Sequence, residues 1–404
     1  MYLITYVDRV NIATAGPAIQ KDLGLSTTEL AHIFSAFGYP YLLFQIFGGW
    51  IGDRAGARRT LFLCGLIWAA ATLLTGLVAT ATTMFLVRLL LGVGEGATFP
   101  VATRAMQNWT PGGRRGFAQG ITHAFARFGN AATPPLVAWL IGVVTWRGSF
   151  VALGATSLVW VAVWVWYFRD DPARHPAITP EELARLPSHH SRTERPRVPW
   201  GPLAARMLPV TVVYFCYGWT LWLYLNWLPS FFLHEYKLDI AHSALFASAV
   251  FFAGVAGDLL GGTLSDAVLT RTGNVRLARL SIIIVGFTCS GVCLLPMFAT
   301  HDLTIIVLSL AAGFFFAELV IGPIWAIPMD IAPQYSGTAS GIMNSGSALA
   351  AILSPLAFGY IADITGNWHL PFAGSLGLLL LGAALAFTLH PEKGFQTSDF
   401  RVQT

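Results

Sequence analysis

Twelve segments of this chain are apolar over roughly 20 residues each, the length that an α-helix needs to cross the hydrocarbon core of a bilayer. The composition agrees, because 55% of the 404 residues are hydrophobic and only 11% are charged, whereas a soluble domain carries about 25% charged residues. The pattern predicts an all-α membrane protein with twelve transmembrane helices. The predicted spans, numbered 1 to 12, are 2–20, 29–51, 60–79, 82–108, 117–143, 147–168, 207–234, 242–265, 280–299, 303–328, 337–362 and 369–389.

The longest polar break in the chain, residues 169–206, divides the twelve spans into two groups of six. It is rich in proline, arginine and histidine, and we interpret it as a surface linker with at most a short helix near Glu181–Leu186. The predicted organisation is an N-terminal half over 1–168, the linker, a C-terminal half over 207–390 and a tail over 391–404.

Basic residues are distributed unevenly between the two sides of the predicted membrane. Of the 24 lysines and arginines, 18 fall on the side that carries the linker and the tail, with Arg104 at the end of span 4 counted there, and three lie deep within spans. The other side has only Lys21, Arg147 and Lys237. Since an excess of basic residues marks the cytoplasmic side, we expect a protein of the cell inner (plasma) membrane with both termini in the cytoplasm.

The two halves carry the same motifs in the same order. Gly49 and Asp53 at the end of span 2 correspond to Gly262 and Asp266 at the end of span 8. In both span 4 and span 10, a glutamate precedes a proline by five residues. Many secondary transporters are built from such internal repeats, with the substrate site between them near the bilayer midplane. We therefore expect a duplicated six-span unit with a site between the halves.

Charged residues inside the spans are the sharpest functional signal in the sequence. Asp8 and Arg9 lie in span 1, Arg88 and Glu95 in span 4, and Arg127 in span 5. An ionisable group near the bilayer centre costs roughly 3 kcal/mol or more, so it usually pairs, faces a watery cavity or serves transport. Two acid–base pairs in separate spans indicate a path that holds a proton and an anion. The alternative is a set of static ion pairs that hold helices together.

The sequence gives no sign of chemistry other than transport. The four cysteines all lie in apolar segments, and we interpret them as small buried hydrophobic residues. No nucleophile–base set, phosphate-binding loop or metal-ligand spacing stands out. We therefore expect a protein that is not an enzyme, uses no cofactor or metal, binds no nucleic acid and acts as a monomer in the bilayer.

Motifs along the whole chain point to one family. The run from Gly49 to Arg59 after span 2 resembles the loop signature of the major facilitator superfamily. Other motifs resemble the anion:cation symporter family within it, whose members take up organic anions with protons. They are Tyr6-Val-Asp8-Arg9-Val-Asn11, Gly92-Val-Gly94-Glu95-Gly96-Ala-Thr-Phe-Pro100, Trp109-Thr-Pro111, Trp227-Leu-Pro229, Trp325 with Asp330-Ile-Ala-Pro333, Gly341-Ile-Met-Asn344 and Gly366-Asn-Trp368. The resemblance implies the major facilitator fold of two six-helix halves.

The resemblance also implies roles for individual residues. In such symporters, the acids of spans 1 and 4 are implicated in proton coupling, and the neighbouring arginines engage the substrate carboxylate. The matching positions are Asp8 and Glu95 for protons, and Arg9 and Arg88 for the substrate. Arg88 has the alternative of serving as a gate or as the partner of Glu95. Further positions that match substrate contacts in related members are Tyr41, Gln45 and Asn344.

Arg127 departs from the family pattern, which has a small or polar uncharged residue at this place. A third arginine would make the cavity more cationic and would favour an anionic, even dianionic, substrate, because the guanidinium group suits carboxylates. Alternatively, Arg127 forms a structural bridge with Glu318 or Asp258. Among the many aromatic residues of span 7, we select Tyr217 as a substrate contact.

A group of charged residues at the linker-side ends of the spans predicts control of conformation. An aspartate with basic partners there can latch the two halves in the outward-open state and release them when the halves rock. The alternative is that these charges only set the topology. The residues are Asp53, Arg54, Arg58, Arg59 and Asp266.

These features together predict a proton-coupled secondary transporter that imports a small organic anion, such as a sugar acid or another carboxylate, by alternating access. Sodium coupling or exchange in place of proton coupling stays open. One rival is an exporter or exchanger of cationic or lipophilic compounds, whose substrates would be cations. Another is a non-transporting membrane sensor, which would show no solute flux.

Only seven residues precede Asp8. Either span 1 is short or the chain lacks its first turns, and we expect the true start to lie upstream.

Overall fold

The computed structural model describes residues 1–25, 29, 32–33, 36–186, 198–238 and 240–395, and this described part is helical and contains no strand. The helices are Tyr2–Leu23 (span 1), Gly38–Ala55 (span 2), Ala57–Thr75 (span 3), Ala81–Gly96 and Thr98–Trp109 (span 4), Arg115–Tyr167 (spans 5 and 6), Trp200–Glu235 (span 7), Ile240–Thr272 (span 8), Val275–Leu294 (span 9), Leu303–Glu318 and Ile321–Ile331 (span 10), Ser336–Thr365 (span 11) and Pro371–Ala386 (span 12). Short 3-10 turns occur at Gly112–Arg114, Pro172–Arg174, Leu295–Phe298 and Pro333–Tyr335. Parts of predicted span 2, the linker and the tail lie outside the described residues.

The described helices suit a lipid environment. Eight stretches are long and apolar enough to cross a membrane by length and composition alone. The helix of span 12 is apolar but has 16 residues, and spans 1, 2 and 5 are not among the eight. Large apolar side chains such as Leu356, Tyr360 and Trp139 are more than half exposed on the outer surface. A surface of this kind is suited to acyl chains rather than to water.

Spans 4 and 10 are each broken close to a glutamate, Glu95 in one and Glu318 in the other. Pro100 and Pro323 follow the breaks, and proline has no N–H to donate to the carbonyl four residues earlier. In span 10, the free carbonyl is that of Leu319, and it lies against span 8. A Cβ added at Gly261 of span 8 would lie 2.0 Å from this carbonyl oxygen. The repeat in the sequence is therefore reproduced in the backbone, and each half places an acid beside a helix break.

Spans 5 and 6 are joined by a tight turn rather than by a loop. Thr145 has a φ of 68° and a ψ of 169° within the run Arg115–Tyr167, so the helix direction changes at this residue. After span 6, the predicted short linker helix is present as Pro180–Arg185, with Thr179 and Glu182 forming a capping box at its start. The helix of span 7 begins at Trp200, earlier than the apolar pattern predicted, because helical structure continues beyond the apolar segment.

The two halves meet on the linker side through two pairs of spans whose backbones touch. Span 2 packs on span 11, where a Cβ added at Gly49 would lie 2.2 Å from the carbonyl oxygen of Gly337. Span 5 packs on span 8 in the same way, since a Cβ at Gly262 would lie 2.1 Å from the carbonyl oxygen of Gly116. No side chain fits at these contacts. The repeated glycines are therefore the residues that let the halves close against each other.

Candidate functional site

Arg9 of span 1 pairs with Glu95 of span 4 rather than with Asp8, its neighbour in sequence. The Nε atom of Arg9 donates to Oε2 of Glu95 at 2.6 Å, and both side chains are buried. Successive residues on a helix point about 100° apart, so Asp8 faces a different neighbour and accepts from Ser157 of span 6 at 3.2 Å. Asp8 and Glu95 still interact electrostatically. The two acids predicted to couple protons therefore share one buried region.

Aromatic rings surround the guanidinium group of Arg9. Its central carbon lies 4.9 Å from the ring centre of Tyr6, 5.2 Å from Phe37, 4.6 Å from Tyr41 and 5.1 Å from Phe99. Such rings attract a cation, and more strongly where water is excluded. Both terminal nitrogens of Arg9 are buried and have no hydrogen-bond partner. Arg9 therefore keeps a free planar edge whose two donors match the oxygens of an oxyanion.

Arg88 is buried on span 4, two helical turns from Glu95. It interacts electrostatically with both Glu95 and Asp8, and its guanidinium carbon lies 5.5 Å from the ring centre of Phe37. Its Nε atom has no hydrogen-bond partner. Arg88 is therefore placed to balance the charge of either acid, as the pairing alternative requires, and its contact with substrate stays a prediction.

Arg127 of span 5 bridges the two halves. Its Nε atom lies 3.0 Å from Oε2 of Glu318 in span 10 and 3.9 Å from Oδ2 of Asp258 in span 8. Its Nη2 donates to the hydroxyl of Tyr217 in span 7 at 3.0 Å, and that hydroxyl donates to Glu318 at 2.9 Å. All four side chains are buried. The sequence left this bridge as an alternative to substrate contact, and Tyr217 is part of it.

The centre of the molecule is not the cationic cavity expected from three arginines. Arg9, Arg88 and Arg127 lie among four buried acids, so these seven groups carry a net charge of −1 when all are ionised. The acids are Asp8, Glu95, Asp258 and Glu318. The expectation was wrong because the two acids of the C-terminal half face Arg127 across the interface. A buried charge without a partner is strongly destabilising, so an anion entering this centre has to be balanced.

Of the polar residues predicted to contact substrate, Tyr41 lies beside Arg9, and Gln45 and Asn344 bond to each other. Asn344 of span 11 donates to Oε1 of Gln45 in span 2 at 2.6 Å, which joins the two halves. Tyr41 lies one turn before Gln45, and its ring is 4.6 Å from the guanidinium carbon of Arg9. The amide nitrogen of Gln45 has no partner. The structure thus brings together residues that are separated by about 300 positions in the chain.

Many buried polar atoms at this centre lack a hydrogen-bond partner, although such atoms are almost always paired in native proteins. Besides the nitrogens of Arg9, they include the carboxamide atoms of Asn11 and Asn130, Nη1 of Arg127, Oδ1 of Asp8 and Oε1 of Glu95. Donors and acceptors are both present. This concentration indicates a site for a polar ligand and the water that accompanies it.

Asp53 closes the linker side by binding the start of span 11. Its Oδ1 accepts from the backbone N–H of Gly337 at 3.0 Å, and its Oδ2 accepts from the N–H of Thr338 at 2.7 Å and from the hydroxyl at 2.6 Å. A carboxylate satisfies the free N–H groups at a helix N-terminus and is favoured by the helix dipole. Its basic neighbour is Arg104 at 3.8 Å.

Asp266 makes the equivalent contact at the start of span 5. Its Oδ1 accepts from the backbone N–H of Gly116 at 3.1 Å, and its Oδ2 accepts from that of Phe117 at 2.7 Å. The two repeated aspartates therefore bind the first turn of a helix in the opposite half. Each forms a latch between the halves on the linker side.

Three charged residues to which the sequence analysis assigned no role extend the latch at Asp266. Arg279 donates to Asp266 at 2.7 Å and to Asp330 at 3.0 Å, and Arg115 donates to Asp330 at 2.9 Å. Because Arg115 belongs to the N-terminal half, this ion pair also crosses the interface. In the sequence analysis, Arg115 and Arg279 entered only the count of basic residues on the two sides of the membrane, whereas Asp330 was quoted as part of a family motif.

The three arginines after span 2 lie elsewhere than the latch predicted for them. Arg58 donates its Nε to the carbonyl of Val165 in span 6 at 3.2 Å and its backbone N–H to Asp170 at 3.0 Å. Arg54 and Arg59 are exposed. None of these contacts reaches the C-terminal half within the described residues. The start of span 11 presents N–H donors, which attract an acid rather than a base.

A family model described as Major Facilitator Superfamily matches residues 1–355 and 276–402, which together extend over the whole chain up to its last two residues. The chain belongs to the Major Facilitator Superfamily. The fold agrees, since the crystal structure of the Escherichia coli fucose:proton symporter matches with a TM-score of 0.70 over 96% of this chain and 97% of that one. At 13% identity, this likeness shows the fold alone. The predicted major facilitator fold of twelve helices in two halves is confirmed.

Relatives in this superfamily are named as transporters of organic acids. A probable sulfoacetate transporter of Cupriavidus necator is 45% identical over 394 residues, covering 97% of this chain and 92% of that protein. A probable galactarate/D-glucarate transporter of Escherichia coli is 28% identical over 91% of this chain and 87% of that protein. A hexuronate transporter of Bacillus subtilis is 28% identical over 95% and 92%. The chain is therefore a multi-pass membrane protein of a transporter family rather than an enzyme, as predicted.

Proposed function

We propose that this protein imports a short organic dianion, with sulfoacetate as the best-fitting substrate, together with protons. The observation that carries the proposal is the free planar edge of Arg9, buried among aromatic rings and held by Glu95. The probable sulfoacetate transporter of Cupriavidus necator supports the choice of substrate, because it is 45% identical over nearly the whole chain.

The spacing of two arginines favours a short substrate. The guanidinium carbons of Arg9 and Arg127 lie 4.9 and 5.3 Å from the centre of the same Tyr6 ring, so they are at most 10.2 Å apart, the sum of these distances. The carbon of a carboxylate, or the sulfur of a sulfonate, lies about 4 Å from the central carbon of a guanidinium group that it pairs with. Two arginines that hold the two ends of a two-carbon dianion therefore have their guanidinium carbons about 11 Å apart, and an extended six-carbon diacid needs about 14 Å. The shorter dianion fits this separation better.

Both arginines have donors available for such a substrate. Arg9 keeps two terminal nitrogens without a partner, and Arg127 keeps Nη1. A dianion therefore has no need to displace Glu95 or Glu318 in order to make its first hydrogen bonds. Arg88, Gln45 and Asn344 would complete the site around the middle of the substrate.

The charge of the centre supports proton coupling. When all seven groups are ionised they carry a net charge of −1, so a dianion that entered without cations would bring the charge of the centre to −3. Such an uncompensated charge is strongly destabilising in a low-dielectric interior. Protons taken up by Asp8 and Glu95, and by the acids facing Arg127, would restore balance. Substrate and protons would therefore bind together.

Alternating access would follow from the latches on the linker side, which faces the cytoplasm in this proposal. With the contacts of Asp53 and Asp266 in place, the halves are closed on that side. Loading would take place from the outside, and release of both latches would open the site inward. The halves 1–168 and 207–390 would move as units about the centre, with the linker and the tail in the cytoplasm.

Uptake into proteoliposomes tests the proposal. The purified protein is reconstituted, and labelled sulfoacetate is supplied with an inward proton gradient, an inward sodium gradient or no gradient. We expect accumulation with the proton gradient only, abolished by a protonophore. Glu95→Gln should lose gradient-driven accumulation and keep exchange of internal for external substrate. Accumulation by Glu95→Gln, or accumulation driven by sodium, would overturn the coupling; transport of cationic dyes in place of organic acids would favour the exporter.

A further inference from the structure

Three side chains that can ligate a metal meet at the end of the C-terminal half opposite the linker. Glu235 ends the helix of span 7, His301 lies in the loop before span 10, and His369 lies just before the helix of span 12. Nε2 of His369 is 3.1 Å from Oε1 of Glu235, and Nδ1 of His301 is 3.6 Å from the same oxygen. Ligand atoms of all three residues lie within 4.8 Å of one another.

His369 is oriented as metal-binding histidines are. Its Nδ1 lies 2.7 Å from the backbone carbonyl oxygen of Met297, which can only accept a hydrogen bond, so Nδ1 carries a proton and donates it. A carbonyl partner of this kind fixes the tautomer and the ring orientation of a ligating histidine. In the neutral ring the lone pair is then on Nε2, which is buried without a hydrogen-bond partner.

The position of His369 calls for a cation between it and Glu235. A lone pair on Nε2 and a carboxylate oxygen repel each other at 3.1 Å. The imidazole is packed in a T-shaped contact with the ring of Phe231, with 5.3 Å between the ring centres. The cation is either a proton on the histidine or a metal ion. His301 distinguishes the two, because a single proton would need only one histidine, whereas both imidazoles converge on the same carboxylate oxygen.

We propose that Glu235, His301 and His369 bind a divalent transition metal, with zinc(II) as the best fit. Zinc is commonly held by two histidines and one glutamate with water in the fourth position, and bonds of about 2.0–2.1 Å place tetrahedral ligand atoms about 3.3 Å apart. The separations of 3.1 and 3.6 Å between the glutamate oxygen and the two histidine nitrogens lie on either side of this value, and the two nitrogens lie within 4.8 Å of each other. Magnesium and calcium prefer all-oxygen sites, so they do not match this set of ligands.

The metal would tie together elements that are far apart in the chain. Its three ligands come from the end of span 7, from the loop between spans 9 and 10, and from the start of span 12. A ligand that binds only the folded protein stabilises it by mass action. Zinc should therefore raise the melting temperature of the protein by a few degrees at saturation, independently of any transport activity.

Direct binding tests the site. The full chain is purified in detergent with a tag that contains no histidine, and zinc is titrated against a fluorescent chelator, with magnesium and calcium in parallel. We expect one zinc ion per chain, a rise in melting temperature, and at least a tenfold loss of affinity in His369→Gln and in Glu235→Gln. The control is His390→Gln, which removes a histidine that pairs with Glu392 at 3.0 Å on the linker side, and it should bind zinc like the wild type.

Two other results would overturn the proposed zinc site. Equal zinc affinity in the wild type, His369→Gln and Glu235→Gln would place any bound zinc elsewhere. An absence of zinc binding, with a melting temperature that rises on acidification from pH 7.5 to pH 5.5, would show a proton-dependent ion pair instead. Because Glu235 is about one-quarter exposed, with a side-chain exposure of 23%, Glu235→Gln provides a folded variant even where His369→Gln does not.

Discussion

Replacing Arg127 with glutamine separates substrate binding from a purely structural bridge. Nε of Arg127 is engaged by Glu318 and Nη2 by Tyr217, while Nη1 has no partner. If Nη1 donates to the second anionic group of a dianion, Arg127→Gln removes a hydrogen bond to a charged group, which contributes about 1.5–3 kcal/mol. At 1.4 kcal/mol per factor of ten, the affinity for the dianion should fall about 10- to 150-fold.

The assay compares two substrates of similar size. Sulfoacetate carries two anionic groups, whereas isethionate carries a sulfonate and a hydroxyl, so its only anionic group should bind the free edge of Arg9. The concentration of each compound that halves the exchange of labelled sulfoacetate is measured for the wild type and for Arg127→Gln. We expect the large loss for sulfoacetate and less than a threefold change for isethionate.

A double variant controls for damage to the bridge. Removing one partner of a buried ion pair costs about 3–5 kcal/mol, because it leaves the other charge uncompensated, whereas removing both can be close to neutral. Arg127→Gln with Glu318→Gln should therefore regain thermal stability but not affinity for sulfoacetate. The reasoning is refuted if the single variant weakens both compounds equally and the double variant restores both. Arg127 would then act as a bridge alone.

Three further predictions concern the latches and the charge balance. Asp53→Ala removes the acceptor for the first turn of span 11, which should destabilise the closed linker side by about 1 kcal/mol. A cysteine introduced on the linker side should then react severalfold faster with a water-soluble thiol reagent. Arg59→Ala, at an exposed arginine, serves as the control. Gly49→Ala should abolish uptake, since its Cβ would lie 2.2 Å from a carbonyl oxygen of span 11, whereas Gly142→Ala, which meets open space, should transport normally. Asp258→Asn brings the charge of the seven central groups from −1 to neutral, so one proton fewer has to bind before the dianion. Uptake should therefore persist to higher pH than in the wild type. An unchanged pH profile would contradict the count of charges.

Most of the fold could be predicted from the sequence, because span length and apolar composition are local properties. The twelve spans, the short linker helix at Pro180–Arg185 and the repeated glutamate–proline spacing all have counterparts in the structure. The helix breaks in spans 4 and 10 were less accessible. A proline shows that one backbone hydrogen bond is missing. In span 10, only the structure shows that span 8 packs against the carbonyl left without this bond.

The candidate site was predictable in its members but not in its pairings. Depth along a helix shows that Arg9, Asp8 and Glu95 share a level, whereas the direction in which each side chain points depends on the rotation and packing of the helices. The sequence therefore could not show that Arg9 joins Glu95. It could not show that Arg127 is held by two acids of the opposite half either, since contacts between the halves leave no periodic signal.

The latches predict an uneven tolerance of mutation. Thr338 and Phe117 contribute backbone N–H groups, and every residue except proline supplies such a group. Substitutions at Thr338 and Phe117 therefore leave these two donors in place, whereas Asp53 and Asp266 cannot be replaced without losing the latch. In a deep mutational scan, sensitivity at the linker-side interface should concentrate at these two aspartates and at the glycines beside them. On the receiving turns, Thr338 and Phe117 should tolerate variation and reject proline. Gly337 and Gly116 should reject any side chain, because an added Cβ would lie 2.9 and 2.8 Å from the carboxylate of the latch.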